Sequence, residues 1–259
     1  MAFALITGAS KGIGRAIARE LASRHIPLIL VARTESLLQA LQAELQAQYQ
    51  VAVHVFAADL SDPESARHLV SWIQEAQLPV QILVNNAGYG LGGSFESRPA
   101  EAQLEMMRLN MLTPVLLTRL LLPELRKQPR AYILNIASTA AYQAVPGLTV
   151  YGATKAFLLN FSRGLRYELR KTTVSVTAVS PGGTATEFAN RADLGSKAVK
   201  TGEKLNMQPE QVAREAVNAL FAGKAEFIPG WLNKISTWLV WLFPKAMAER
   251  AAAGIYEIP

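Results

Sequence analysis

The chain of 259 residues has no cysteine. That excludes disulfides, iron–sulfur clusters and thiol catalysis, and leaves the redox compartment open. Histidine is almost as scarce. His25, His54 and His68 are scattered without ligand spacing, so no metal site is expected. Charged residues make up only 18% of the chain against 50% hydrophobic, a composition that builds a core and does not stay disordered. The formal net charge is +6, but the basic residues form no stripe or block. No nucleic-acid partner is expected from such a pattern; attraction of an anionic small molecule is explanation enough. Repeats and low-complexity segments are missing too. The start, Met1-Ala2-Phe3-Ala4-Leu5-Ile6, shows no basic leader and no small-residue cleavage site, so no signal peptide is read and a cytoplasmic location is expected.

What the chain does have is alternation. Short apolar runs at Phe3–Thr7, Pro27–Val31, Val51–Phe56, Val80–Val84, Tyr132–Ala137, Val174–Val179 and Ala225–Ile228 read as buried strands. Between them, helical patterns cover Ser36–Gln48, Ser65–Gln77, a long stretch from about Pro99 to Arg126, Gly152–Arg170 and Pro209–Ala222, besides one that opens at Ile13. Strands alternating with helices predict an α/β fold: a single Rossmann-like, doubly wound domain over residues 1–259 with a seven-stranded parallel sheet.

The first strand runs into Thr7-Gly8-Ala9-Ser10-Lys11-Gly12-Ile13-Gly14. Glycines there permit a tight turn and close approach of backbone to a pyrophosphate, and the helix that follows offers free N–H groups to it. The spacing is G-x-x-x-G-x-G, not the commoner G-x-G-x-x-G, so the strand–glycine–helix context carries the reading. The second strand ends in Ala32-Arg33, where an NAD site would place a carboxylate on the ribose. Arg33, with Lys11 nearby, suits a 2′-phosphate, although both could be ordinary solvated cations. NADP (NADPH) is therefore favoured over NAD. Asp59-Leu60 ends the third strand and Asn85-Asn86-Ala87-Gly88 the fourth; the first could meet an adenine amino group or cap a helix, the second could fix strand ends or pass close to a cofactor. Gly90, Gly92 and Gly93 read as a mobile loop, and Asn110 sits in an apolar helical face near Pro114.

Tyr151 and Lys155 are four apart, hence on one helix face. An ammonium beside a phenol lowers its pKa toward working pH, and a hydroxyl from Ser138 could hold the same substrate oxygen. By itself the pair is common on helix surfaces.

Taken together and in order, these residues resemble the short-chain dehydrogenase/reductase family, in its subgroup with T-G-x-x-x-G-x-G spacing, over roughly the first 230 residues. The match rests on Thr7-Gly8 with Gly12 and Gly14, Asp59, Asn85-Asn86-Ala87-Gly88, Asn110, Ser138, Tyr151 with Lys155, and Pro181-Gly182 with Thr186. Gly183-Thr184 departs from the usual Pro-Val, which predicts an altered loop near the nicotinamide. The resemblance implies an NADP-dependent oxidoreductase interconverting a ketone or aldehyde and an alcohol. Tyr151 would be the general acid, Ser138 would stabilise the oxyanion, Lys155 would tune Tyr151 and hold the ribose, and Asn110 would anchor a water in a proton relay. The cofactor site would comprise Gly8, Ser10, Lys11, Gly12, Ile13, Gly14, Arg33, Asp59, Leu60, Asn86, Ala87, Gly88, Tyr151, Lys155, Pro181, Gly182, Thr184 and Thr186. A homodimer or homotetramer is implied as well. A non-catalytic NADP-binding sensor or scaffold is the alternative; it would need no Ser138–Tyr151–Lys155 set.

The substrate is expected between two loops. One offers Tyr142, Val145, Pro146 and Leu148 as an apolar wall; the other carries Phe188, Arg191, Lys197, Lys200 and Lys204. A hydrophobic or acyl-like ketone fits them. The tail from about 230 to 259 is an apolar extension rich in Trp, stopped by Pro244 and too short to span a bilayer. It resembles the ketosteroid and 3-oxoacyl reductase branch of the family. Burial in protein ranks first for it; a dimer contact, a lid over the substrate, or peripheral contact with a membrane also fits.

Overall fold

The strands β1 (Phe3–Thr7), β2 (Leu28–Ala32), β3 (Val53–Ala57), β4 (Val80–Asn85), β5 (Ala131–Ile136), β6 (Val174–Val179) and β7 (Glu226–Phe227) pair in parallel, in the order β3-β2-β1-β4-β5-β6-β7. The structure is a computed structural model and describes residues 2–195, 199 and 206–256. Its helices are α1 (Gly12–Ala22), α2 (Glu35–Tyr49), α3 (Pro63–Glu75), α4 (Ala100–Met107), α5 (Thr113–Lys127), α6 (Thr149–Glu168), the single turn α7 (Phe188–Arg191), α8 (Pro209–Phe221), α9 (Trp231–Leu242) and α10 (Lys245–Ile255).

The sheet is buried on both faces, which is why its strands read as unbroken apolar runs and not as alternating ones. Leu5, Ile29, Leu83 and Ile133 point into one core with Leu117, Leu121 and Leu125 of α5. Their neighbours Ile6, Leu30, Val84 and Leu134 point into the other, against Ile17 and Leu21 of α1, Leu41 of α2 and Val217 of α8. The strand order reverses between β1 and β4. At such a switch point the connections leave in opposite directions, and a crevice opens at the carboxyl ends of the strands. The turns after β1, β2, β3, β4, β5 and β6 all end there.

The long helix predicted from Pro99 to Arg126 is broken. A π-turn over Arg108–Leu112 separates α4 from α5. Pro114 has no N–H to give the carbonyl four residues back, which belongs to Asn110, so regular helix cannot pass through this point. α6 begins at Thr149, ahead of the predicted start, and so includes Tyr151. β7 is only two residues long, shorter than the predicted run. Beyond Pro244 the tail re-enters helix as α10, which the sequence pattern did not predict. No helix among the described residues is long and apolar enough to cross a membrane.

Candidate active site

A cavity of about 1570 Å³ runs along the carboxyl edge of the sheet, from the glycine turn to the C-terminal helices. At its floor the turn after β1 places Gly8 at φ 66° and Gly12 at φ 54°, left-handed values that favour glycine. Lys11 flanks the start of α1 and makes no side-chain cap, so the N–H groups of the first turn keep their hydrogen-bonding capacity at the cavity wall. An anionic phosphate fits that end. Gly14 is a correction to the expected cofactor contacts. It does not line the cavity; a Cβ there would collide with the Gly8 carbonyl, so its role is to let α1 seat against the turn.

The two amides after β4 work as fasteners. Asn86 donates from Nδ2 to the carbonyls of Thr7 (2.9 Å) and Gly8 (3.2 Å), while Thr7 Oγ1 accepts from the N–H groups of Asn86 and Ala87, both at 3.0 Å. Asn85 donates to Asn135 Oδ1 (2.8 Å), and Asn135 donates to Ser162 Oγ (2.8 Å), tying β4, β5 and α6 in a buried line. Ala87 and Gly88 lie on the cavity wall, as do Ser10, Ile13, Leu60, Pro181, Gly182 and Thr186.

Arg33 lies 3.6 Å from Asp59 at the far end of the groove. Burial would raise the Asp59 carboxyl, but hydrogen bonds from Ser61 N–H (3.0 Å) and Oγ (2.8 Å), together with Arg33, outweigh it and hold the pKa below the usual range. Lys11 is not free: its ammonium bridges the cleft to Glu187 at 2.7 Å. Arg191, read from sequence as a substrate-side residue, comes instead over the Tyr89 ring at 4.3 Å. Burial and then the like charge of Arg33 lower its pKa, which places two guanidiniums at one end of the groove.

Ser138, Tyr151 and Lys155 meet at the cavity's centre. Ser138 caps the short turn after β5, accepting from Ala140 N–H at 3.1 Å. Lys155 donates to the Ile136 carbonyl at 2.8 Å and sits 5.8 Å from the Tyr151 ring centroid. Burial is the dominant influence on both. It pushes the Tyr151 phenol up to about 12, with a hydrogen bond from Ser138 pulling the other way, and pushes the Lys155 ammonium down to about 8. The expected lowering of Tyr151 by Lys155 is therefore not present in this geometry, because the ammonium is turned toward a carbonyl and is itself desolvated. Asn110 does not line the cavity. It grips the backbone of Tyr89 from both sides, accepting from its N–H (3.1 Å) and donating to its carbonyl (2.9 Å), and also donates to Thr154 (3.1 Å). Gly88 is the spacer that lets Asn110 and Lys155 come this close: a Cβ there would stand 2.8 Å from Asn110 Oδ1 and 3.4 Å from Lys155 Nζ.

A family model for short chain dehydrogenases matches residues 2–196. The chain belongs to the short-chain dehydrogenase/reductase family. Among its relatives is a very-long-chain 3-oxoacyl-CoA reductase of Anas platyrhynchos, 35% identical over 192 residues, which are 73% of this chain and 61% of that protein. A short-chain dehydrogenase from Sphingobium yanoikuyae, solved with NADPH, superposes with a TM-score of 0.80 at 31% identity, covering 95% of this chain and 97% of that one. A family member from Burkholderia phymatum, solved with NAD, shares the fold at a TM-score of 0.83 and 23% identity, covering 93% of both chains. This dehydrogenase is thus an oxidoreductase.

The substrate end of this dehydrogenase departs from the sequence reading in several places. Val145 and Leu148 line the cavity, and Phe188 packs on Tyr151 with ring centroids 5.1 Å apart. Tyr142 does not line it. Its hydroxyl donates to Glu226 (2.6 Å) and reaches Ser180 (3.2 Å), and its ring belongs to a small cluster with Ala137, Leu159 and Ala178. Pro146 is off the wall as well. Gln143, not singled out from sequence, lines the cavity, and its Oε1 is buried without a partner among the described residues. The Gly90–Gly93 loop, read as mobile, is tied at Gly92 to the Ala192 carbonyl (2.7 Å) and at Gly93 to that of Gly147 (3.0 Å). At Gly183-Thr184, a Cβ on Gly183 would meet the Asn206 side-chain oxygen, and Thr184 bridges to Met207. Lys197, Lys200 and Lys204 lie outside the described residues. The tail closes the cavity with Leu239, Val240, Phe243, Met247 and Tyr256. The burial expected for it is met on that side alone; its other face is exposed.

Proposed function

We propose that the protein reduces the carbonyl group of a hydrophobic, acyl-like ketone or aldehyde to an alcohol with NADPH. The observation that carries this reading is the convergence of the Ser138 hydroxyl, the Tyr151 phenol and the Lys155 ammonium in a cavity that also contains the uncapped start of α1. The glycine turn, Asp59, Ala87, Gly88 and Thr186 would hold the dinucleotide, and Arg33 with Arg191 would hold a 2′-phosphate. The bound nicotinamide supplies the hydride. Ser138 donates a hydrogen bond to the carbonyl oxygen as negative charge develops there. Tyr151, raised by burial and so fully protonated near neutral pH, transfers its proton to that oxygen. With the dinucleotide bound, Lys155 would hold the ribose and, by turning from the Ile136 carbonyl toward Tyr151, would stabilise the phenolate that remains. Asn110 positions the Tyr89 loop beside Lys155, and the bent backbone of the π-turn is where a relay water would be held. Apolar Val145, Leu148, Phe188 and Val240 suit a lipid-like chain, and exposed Leu104, Leu112 and Phe157 support a homodimer or homotetramer.

The test is a panel of ketones and aldehydes followed by loss of NADPH absorbance and repeated with NADH. Tyr151→Phe should lower turnover about 100- to 10,000-fold, the range for a general acid, with NADPH affinity nearly unchanged. Carbonyl reduction retained by that variant would sink the assignment.

A further inference from the structure

Helix α9 is built inside out. At about 100° per residue, Asn233, Ser236, Thr237 and Val240 share one side, and Trp231, Ile235, Trp238 and Leu242 share the other. The protein core meets the more polar side. Asn233 crowds Gly182 and donates to the Pro229 carbonyl at 2.8 Å, Thr237 is buried, and Ser236 and Val240 line the cavity. The apolar side meets water: Trp231 is 68% exposed, Trp238 60% and Trp241 84%. Three of the chain's four tryptophans therefore stand on one face that is left exposed among the described residues. A contiguous apolar patch of this kind marks a surface that something covers.

The charges say what. No acidic residue occurs between Glu226 and Glu249, while Lys234 lies within the helix and Lys245 just past its end. Tryptophan and lysine without carboxylates fit the headgroup region of an anionic bilayer, where indole rings sit among the glycerol groups and ammoniums meet phosphates. A second copy of the chain would set this basic patch against itself across a two-fold axis, and like charges would oppose the contact. We propose that the outer face of α9 docks this protein on an anionic lipid surface, and that the cavity walled by its inner face draws its hydrophobic substrate from there. The docking stands independently of the chemistry; the delivery rests on the carbonyl-reductase reading.

The full-length protein should float with vesicles of phosphatidylcholine containing about one-third phosphatidylserine, with a blue shift of tryptophan emission, and less with phosphatidylcholine alone. Trp238→Gln with Trp241→Gln touches no cavity residue. It should weaken vesicle binding about tenfold or more, with NADPH binding and turnover of a short water-soluble ketone unchanged. If that pair fails to fold, Lys234→Glu with Lys245→Glu should abolish the preference for phosphatidylserine. For a long-chain ketone presented in the vesicles, wild type should outpace the tryptophan variant. No flotation of the wild type, or equal flotation of the variant, overturns the docking. A dimer that the tryptophan variant dissociates, without any vesicle binding, gives the face to a second copy and also overturns it. Equal rates on the vesicle-borne ketone overturn the delivery alone. Flotation with no ketone reduced by any variant leaves the docking upheld and sinks the carbonyl-reductase reading.

Discussion

Ser138, Tyr151 and Lys155 were legible in the sequence because the chemistry needs those side chains at those spacings, but their ionisation was not. Burial sets it, and burial is a property of the assembled cavity. The consequence is measurable without cofactor. Burial lowers Lys155 from 10.5 to about 8, so below that value the folded protein holds a desolvated ammonium. As pH rises from about 8 toward about 10, the folded state releases a proton that the unfolded chain keeps, and stability increases, by about 2 kcal/mol from this group. Tyr151 acts in the opposite sense only above about 10, where the unfolded phenol ionises first. Urea unfolding of wild type and Lys155→Met across this range should show the rise in the wild type and not in the variant. Arg33 belongs to the same scale. Its approach to Arg191 concentrates positive charge where a 2′-phosphate would lie, so Arg33→Ser should weaken NADPH binding roughly 10- to 100-fold and leave NADH binding almost unaltered, as isothermal titration with each nucleotide would reveal. Lys11 was read as a second positive charge for a 2′-phosphate or as a solvated cation, but its partner Glu187 is 176 positions away along the chain, and no local pattern announces it.

Strands and helices followed their apolar patterns closely where both sides were buried. The exception was the stretch around Asn110. Its residues continue a helical pattern, and only the missing N–H of Pro114 and the docking of Asn110 onto Tyr89 explain the π-turn. That docking is testable. Asn110→Ala would leave the buried N–H and carbonyl of Tyr89 unpaired, at roughly 1–3 kcal/mol for each. Thermal unfolding should shift down, and the Tyr89 amide should exchange faster with deuterium than its neighbours. If exchange at Tyr89 is unchanged, the loop is held by something else. α7 shows the same limit. The four residues Phe188–Arg191 carry no strong periodicity, yet they place Phe188 on Tyr151 and Arg191 on Tyr89.

For the whole molecule, the decisive feature is the cavity, which joins the carboxyl ends of the strands to a roof from the last two helices. Truncation after Gly230 should therefore raise KM for a long-chain ketone more than for a short one and spare NADPH affinity; equal changes for both lengths would mean that the roof makes no substrate contact. The sequence alone determined the alternating α/β order, the parallel sheet, the glycine turn and the reactive trio. Each follows from local rules: apolar period, conformational freedom at glycine, and side-chain chemistry at fixed spacing. Tertiary structure alone decided that Gly14 and Asn110 support the site from outside it, that Tyr142 belongs to the core beside β7, that Arg191 joins Arg33, and that α9 turns its polar side inward. Those outcomes depend on which surfaces meet across long separations in the chain. A helix pattern fixes the two sides of α9 but not which of them faces the protein; that choice was made by a cavity wall already built from residues far upstream.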